Sequence, residues 1–329
     1  MTPLDRLTKV VGLPLIVATW LFNNSSVDAS TLLWIREGEY LRHKPAVMQT
    51  NLLSGASSVI FESQYYTSSE FSILGATAYV AGKLYRPDQP HSNLRLTDLR
   101  DSTDSIFWDL WPTQAPTDVT SDGTTLYWMS HFGINSVPLA GPLRYDVITI
   151  FQDTSPSTPM GLATDGQRLF WADYVNPSIF STDLDGETTR KLVDLEQTFG
   201  DKGRHGYFPR NVATNGNYLY WVDGADDAIF RVGLDGSFPT KLIDLDATFG
   251  DSFYSPTGLT VSHDKIFWSQ LGAEELGIFS SDLDGSNIRP IVEGIRAGGL
   301  AYIIPEPGVG SLMLLAAGAL LLRGWLRAH

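Results

Sequence analysis

Few residues in this 329-residue chain stand where they could do catalysis. Its six histidines, His43, His91, His131, His205, His263 and His329, are scattered, with no pair at metal-ligand spacing. No GxSxG elbow, HExxH pair or Walker A loop occurs. The absence of cysteine excludes thiolate zinc sites, a cysteine nucleophile and a disulfide scaffold. Two Asp-x-Asp-Gly pieces, at Asp183-Leu184-Asp185-Gly186 and Asp282-Leu283-Asp284-Gly285, invite a calcium reading. An EF-hand loop would need a further carboxylate before the glycine and a distal Glu, and both are missing. Tight turns account for the Asp-Gly pairs. The sequence thus implies no catalytic residue, no metal and no cofactor.

Binding chemistry is better represented, in two long and similar segments. One is Asp194-Leu195-Glu196-Gln197-Thr198-Phe199-Gly200-Asp201, running on to Arg210. The other is Asp244-Leu245-Asp246-Ala247-Thr248-Phe249-Gly250-Asp251, running on to Pro256. Between them they carry Phe199, Arg204, His205, Tyr207, Phe208, Phe249, Phe253 and Tyr254. Aromatic and Arg residues on long loops are usual interface anchors, so these eight are the candidate binding residues. The competing reading is that Phe199 and Phe249 fold back over the scaffold. With 37 acidic against 23 basic residues, the net charge of −14 argues against nucleic acid and against an anionic membrane surface.

The scaffold beneath these loops is a repeat. Leu126-Tyr127-Trp128, Leu169-Phe170-Trp171, Leu219-Tyr220-Trp221 and Ile266-Phe267-Trp268 are near-copies, and Leu32-Leu33-Trp34 and Ala78-Tyr79-Val80 are weaker ones. Steps between their third residues are 46, 48, 43, 50 and 47. A period of this length with several strands per unit marks a propeller blade. The sequence predicts an all-β, six-bladed β-propeller of four-stranded blades over residues 30–303. In the fourth unit the strands fall near Met160–Ala163, Arg168–Ala172, Ser178–Thr182 and Thr189–Val193. Gly299-Leu300-Ala301 copies Gly161-Leu162-Ala163, so the last strand is expected to complete the first blade and close the ring. The repeated Trp128, Trp171, Trp221 and Trp268 share one register, which suits packing between blades better than sugar stacking.

Phe170-Trp171-Ala172-Asp173 and Tyr220-Trp221-Val222-Asp223, with Leu184-Asp185-Gly186, Leu234-Asp235-Gly236 and Leu283-Asp284-Gly285, resemble the YWTD propeller of the low-density-lipoprotein-receptor class. The match is good over about residues 120–300 and rests on spacing over 31–119. The motif's threonine is missing, and Ser130 and Gln270 replace its Asp in two units. The resemblance implies architecture, and a hydrogen-bonding role for Asp173 and Asp223 between blades.

Both ends of the chain read as export signals. Arg6 and Lys9, the apolar run 10–22 and Val27-Asp28-Ala29 form a signal peptide, residues 1–29. Residues 304–329 hold Pro305-Glu306-Pro307, an apolar run over 309–322, and Arg323 and Arg327. This order resembles the PEP-CTERM sorting tail of Gram-negative, exopolysaccharide-producing bacteria. The resemblance implies a transmembrane helix, processing by an exosortase-type enzyme near the triplet, and an inner-membrane precursor delivered to the cell surface or biofilm matrix.

Three functions follow. The first is a surface or matrix protein whose loop face binds polysaccharide or protein. The second is a propeller hydrolase or lyase with a metal in the central channel. Inner-strand residues Gly161-Leu162-Ala163, Asn211-Val212-Ala213 and Gly258-Leu259-Thr260 are poor in metal ligands and favour the first. The third is a structural spacer with no specific ligand.

Overall fold

The computed structural model describes residues 31–36, 44–62, 77–88, 93–109, 116–130, 133–140, 148–152, 158–202, 206–250, 254–272 and 276–303. The expected signal peptide at 1–29 and the expected sorting tail at 304–329, with Pro305, Glu306, Pro307, Arg323 and Arg327, lie outside them, as do Arg204, His205 and Phe253.

The described chain forms six four-stranded antiparallel sheets. Blade 1 is built from β1 (Thr31–Arg36), β2 (Ala46–Asn51) and β3 (Ser57–Glu62). Blade 2 holds β4 (Ala78–Val80), β5 (Lys83–Asp88), β6 (Asn93–Asp98) and β7 (Thr103–Asp109). Blade 3 holds β8 (Pro116–Ser121), β9 (Thr125–Ser130), β10 (Gly133–Pro138) and β11 (Ile148–Gln152). Blade 4 holds β12 (Pro159–Thr164), β13 (Arg168–Asp173), β14 (Ser178–Asp183) and β15 (Arg190–Asp194). Blade 5 holds β16 (Pro209–Thr214), β17 (Tyr218–Asp223), β18 (Ala228–Gly233) and β19 (Thr240–Asp244). Blade 6 holds β20 (Pro256–Val261), β21 (Lys265–Gln270), β22 (Gly277–Asp282) and β23 (Arg289–Glu293). The last strand, β24 (Ala297–Ile303), pairs with β1 and becomes the innermost strand of blade 1, as the copied Gly-Leu-Ala predicts.

Each blade is sandwiched between two others, so its second strand is buried on both faces and reads as a continuous apolar run. Phe170 joins a cluster with Trp221 and Phe230 of blade 5, whereas Leu169 and Trp171 pack with Tyr127, Met129 and Ile134 of blade 3. The side chains therefore alternate between neighbouring blades rather than between core and water. All six seams carry such a cluster. Trp34, Trp128, Trp171, Trp221 and Trp268 are all buried in them, which settles the repeated tryptophans as packing residues.

The inner strands of blades 3–6 open with Pro116, Pro159, Pro209 and Pro256, where an edge facing the channel needs no N–H donor. Their pairing with the second strand then slips by a bulge. At Gly161 this brings the backbone to φ +66°, and a Cβ there would lie 2.4 Å from the Arg210 carbonyl oxygen. Blade 5 thus approaches blade 4 as closely as backbone allows.

Blade 2 departs from the expected register. Ala78-Tyr79-Val80 is its first strand and not its second. The copy of Leu-Phe-Trp is Leu84-Tyr85-Arg86, so steps from Trp34 to Arg86 and on to Trp128 are 52 and 42. The tryptophan position is held by a fully buried arginine, which a search for a third aromatic passes over.

Candidate functional site

In every blade the fourth-to-first and second-to-third connections open on one face of the disc, and the two long segments belong to the first kind. Each begins with a single turn of helix, α1 (Leu195–Phe199) and α2 (Leu245–Phe249). The caps repeat. Asp194 accepts from the Gln197 N–H and Asp244 from the Ala247 N–H, while Gly200 and Gly250 close the turns at φ +96°. Lys191 and Lys241 donate to these aspartates at 2.9 and 2.6 Å, and these hydrogen bonds head the causes that hold both carboxyls below their ordinary range.

These helices aim their aromatic residues inward. Leu195 and Leu245 are buried. Phe199 lies 5.0 Å from Phe230, which stacks on Trp221 at 5.2 Å. Phe249 lies 5.5 Å from Phe279, which stacks on Trp268 at 5.9 Å. Each helix therefore clamps its own blade onto the aromatic stack of the next. Tyr207 and Tyr254 are buried as well, and their hydroxyls donate to the carbonyls of Gly200 and Gly250. Of the two readings of Phe199 and Phe249, folding back over the scaffold is the one the structure shows, and Tyr207 and Tyr254, expected as exposed anchors, are buried with them. They fold back because the clamp needs large apolar groups. Arg204, His205 and Phe253 lie outside the described residues.

What the loops leave at the surface is a row crossing three blades. Tyr174 and Val175, on the second-to-third connection of blade 4, are 45% and 49% exposed. The Tyr174 ring lies 4.4 Å from that of half-buried Phe208, and the Arg210 guanidinium sits over the Phe208 ring, 4.3 Å from its centroid. Arg210 also donates to the Ser255 hydroxyl of the blade 6 loop at 3.3 Å. Gly224 makes room for it, since a Cβ there would lie 3.0 Å from Arg210 Nε. Burial lowers the Arg210 pKa, opposed by the charges of Asp223 and Asp227. Of this row the sequence pointed to Phe208 and missed Tyr174 and Val175; the only available signal was an aromatic and a valine in a short turn.

Beside the row, Lys202 lies over the Tyr207 ring at 4.9 Å and pairs with Asp226, which Lys241 approaches at 3.5 Å. Asp223 anchors the corner by accepting from the Phe208, Ala225 and Asp226 N–H groups. Burial nevertheless pushes its carboxyl up to about 6, against those hydrogen bonds. Asp173 likewise accepts from Asn176 in its own turn. Both aspartates thus bond within their own blade and the connection leading into it, where the resemblance implied hydrogen bonds between blades.

The Asp-x-Asp-Gly carboxylates are engaged in turns on the opposite face. Asp183 accepts from Thr188 and Asp185 from Glu187, and Asp284 accepts from Ser286. Among the described residues no three His, Asp or Glu side chains gather as a metal site.

A scan against protein-family models finds no match, and a search of curated sequences finds none either. Solved structures do match. Nidogen, in the crystal structure of a nidogen/laminin complex, aligns with a TM-score of 0.65 and 16% identity, over 84% of this chain and all of its own. A putative TolB from Agrobacterium tumefaciens aligns at 0.55 and 15%, over 84% of this chain and 99% of its own. TolB from Acinetobacter baumannii aligns at 0.60 and 11%, over 83% of this chain and 66% of its own. These likenesses establish the fold. At such identities they carry no activity or partner across.

Proposed function

We propose that this protein is an exported interaction scaffold whose loop face, over blades 4–6, meets a protein or polysaccharide at the cell surface or in a biofilm matrix. The observation that carries the reading is the Tyr174–Phe208–Arg210 row, with Tyr174 and Val175 half exposed beside it. A flat aromatic backed by a cation offers stacking area with little entropy to lose, to a sugar ring or a peptide alike. Nidogen, captured with laminin, is a propeller of similar fold in a protein complex. Export rests on residues 1–29 and on the Pro305-Glu306-Pro307 tail with Arg323 and Arg327. In this reading residues 309–322 hold the precursor in the membrane, and an exosortase-type enzyme processes it. Among the described residues no helix is long and apolar enough to cross a membrane.

The test is thermal unfolding of the protein against bacterial and algal polysaccharides, surface proteins and divalent metals. The expected result is a raised midpoint with a glycan or protein, abolished in Tyr174→Ala although that variant melts like the native chain. A rise that Tyr174→Ala leaves untouched moves the site off this row. A rise with metal alone shifts the reading to the central channel.

A further inference from the structure

The opposite face of the disc carries a second anomaly. Blades 4, 5 and 6 repeat closely enough to serve as controls for one another. In blades 4 and 6 the second and third strands end there in facing charged pairs, Arg168 opposite Asp183 and Lys265 opposite Asp282. The residue five beyond each aspartate, Thr188 or Asn287, donates to it and closes the turn. In blade 5 all of these positions change together. Tyr218 faces Gly233, and the turn residue is Phe238. Arg231 replaces Ser181 and Ser280, and its guanidinium lies 4.7 Å from the Tyr218 ring centroid. Phe238 adopts φ +53°, a conformation that suits Asn287 of blade 6 but not a Phe. It is 84% exposed and Tyr218 40%. The Phe238 carbonyl accepts from the Thr240 hydroxyl at 3.0 Å, but its ring stands in water, and backbone strain of this kind clusters at binding positions.

Leu53, at 80%, comes next after Phe238 in exposure among the described large apolar residues. It sits on the third-to-fourth turn of blade 1, and so shares the face of Phe238. Its turn, Asn51 to Gly55, carries no charge. Asn51 lies opposite Thr31, and Thr31 lies opposite Ile303. Both ends of the described chain therefore leave the disc beside Leu53, and the apolar sequence 309–322 begins six residues beyond Ile303.

We infer that this face rests on a lipid bilayer, with Phe238 and Leu53 inserted among the headgroups and Tyr218 and Arg231 at the polar boundary. The inference builds on the proposed membrane tail. A chain held through 309–322 presents this face to the membrane, and two protruding apolar tips need no pocket in their partner. Aromatic and Arg side chains suit the interface. The acidic turns of blades 4, 5 and 6, with Asp183, Asp185, Asp235, Asp282 and Asp284, make neutral headgroups the better surface.

The chain has no cysteine, so single labels can be placed cleanly. Full-length Phe238→Cys, Leu53→Cys and Val175→Cys, the last on the loop face, are nitroxide-labelled and reconstituted into phosphatidylcholine vesicles. Flotation and collision with oxygen or a water-soluble nickel chelate are measured. Labels at 53 and 238 are expected to lose nickel accessibility several-fold and gain oxygen accessibility, while 175 stays open. Added phosphatidylglycerol should reverse part of the effect. A chain that floats with all three labels equally open overturns the face and leaves the tail intact. A chain that does not float overturns both. Labels at 53 and 238 shielded from both reagents before lipid is added would show a second copy on this face instead, and overturn the lipid assignment.

Discussion

Blades 5 and 2 solve the same packing problem with opposite chemistry. In blade 5 the cross-strand pair Trp221 and Phe230 stacks nearly flat, 7° between planes, and fills the seam with blade 4. In blade 2 the same two positions hold Arg86 and Arg95. Two cations directly opposite each other repel. Asp104, on the outer strand, resolves the conflict by accepting from Arg86 at 2.9 Å, from Arg95 at 2.6 Å and from Thr97 at 2.6 Å. Asp88 adds a second carboxylate 3.7 Å from Arg95. Both aspartate side chains and Arg86 are essentially dry. Burial lowers the Arg86 pKa, and the charge of Asp104 offsets this. An aromatic stack degrades gradually when one member shrinks. A buried ionic network depends on every member.

That contrast has a decisive test. Asp104→Ala removes the carboxylate that Arg86 and Arg95 share and should cost about 3–5 kcal/mol. The triple variant Arg86→Trp, Arg95→Phe, Asp104→Thr writes the blade 4 pattern into blade 2. It should lie within about 1 kcal/mol of the native chain or exceed it by up to about 4 kcal/mol. Denaturant midpoints followed by far-ultraviolet circular dichroism give both numbers. If the triple variant is as damaged as Asp104→Ala, the two blades are not interchangeable solutions, and the network has a role the aromatic pair cannot fill.

The same contrast explains what could be read from sequence. Blades 3–6 announce themselves because a tryptophan buried on two sides leaves a fixed aromatic signature, and ring closure was visible in the copied Gly-Leu-Ala. Blade 2 hid its register because a guanidinium held by Asp104 can occupy the tryptophan position, and no periodicity signals a partner on a different strand. The loop face failed in the other direction. Tyr207 and Tyr254 look like binding residues in a polar loop, and Phe199 and Phe249 allow either an exposed or a folded-back reading, yet all four rings complete the blade seams. Exposure was instead assigned by three-dimensional packing to Tyr174 and Val175, in a turn with no distinguishing length or composition.

A second test concerns Asp223, the buried carboxylate of blade 5. Its pKa in the folded protein is raised to about 6 from an ordinary 3.8, chiefly by burial. The folded state then binds the proton more tightly, so this group's contribution to stability falls as pH rises from about 4 to about 6. The full effect is roughly 2–3 kcal/mol. Comparing the native chain with Asp223→Asn at pH 4, 5, 6 and 7 isolates it, with the difference between the two flattening above pH 6. A difference that does not vary over this range would mean that the three backbone N–H groups keep Asp223 ionised.

The helix caps give the smallest effect and the opposite sign. Asp194→Ala and Asp244→Ala each remove one acceptor at the start of α1 or α2 and should cost about 1 kcal/mol. The two should not be identical. Lys241, released from Asp244, still has Asp226 at 3.5 Å, whereas Lys191 has Asp194 as its only recorded ion-pair partner among the described residues. Both cap carboxyls lie below their ordinary range, so the stability they contribute is present above the unfolded pKa and is lost as pH falls through the folded one. Acidification therefore weakens the clamps while it relieves Asp223. Chemical unfolding of the two cap variants at pH 7 and pH 3 should show their deficits shrinking in acid. Deficits that persist unchanged at pH 3 would mean that the protonated side chains still cap the helices, and that the lysine pairs contribute nothing to holding these loops on the blades.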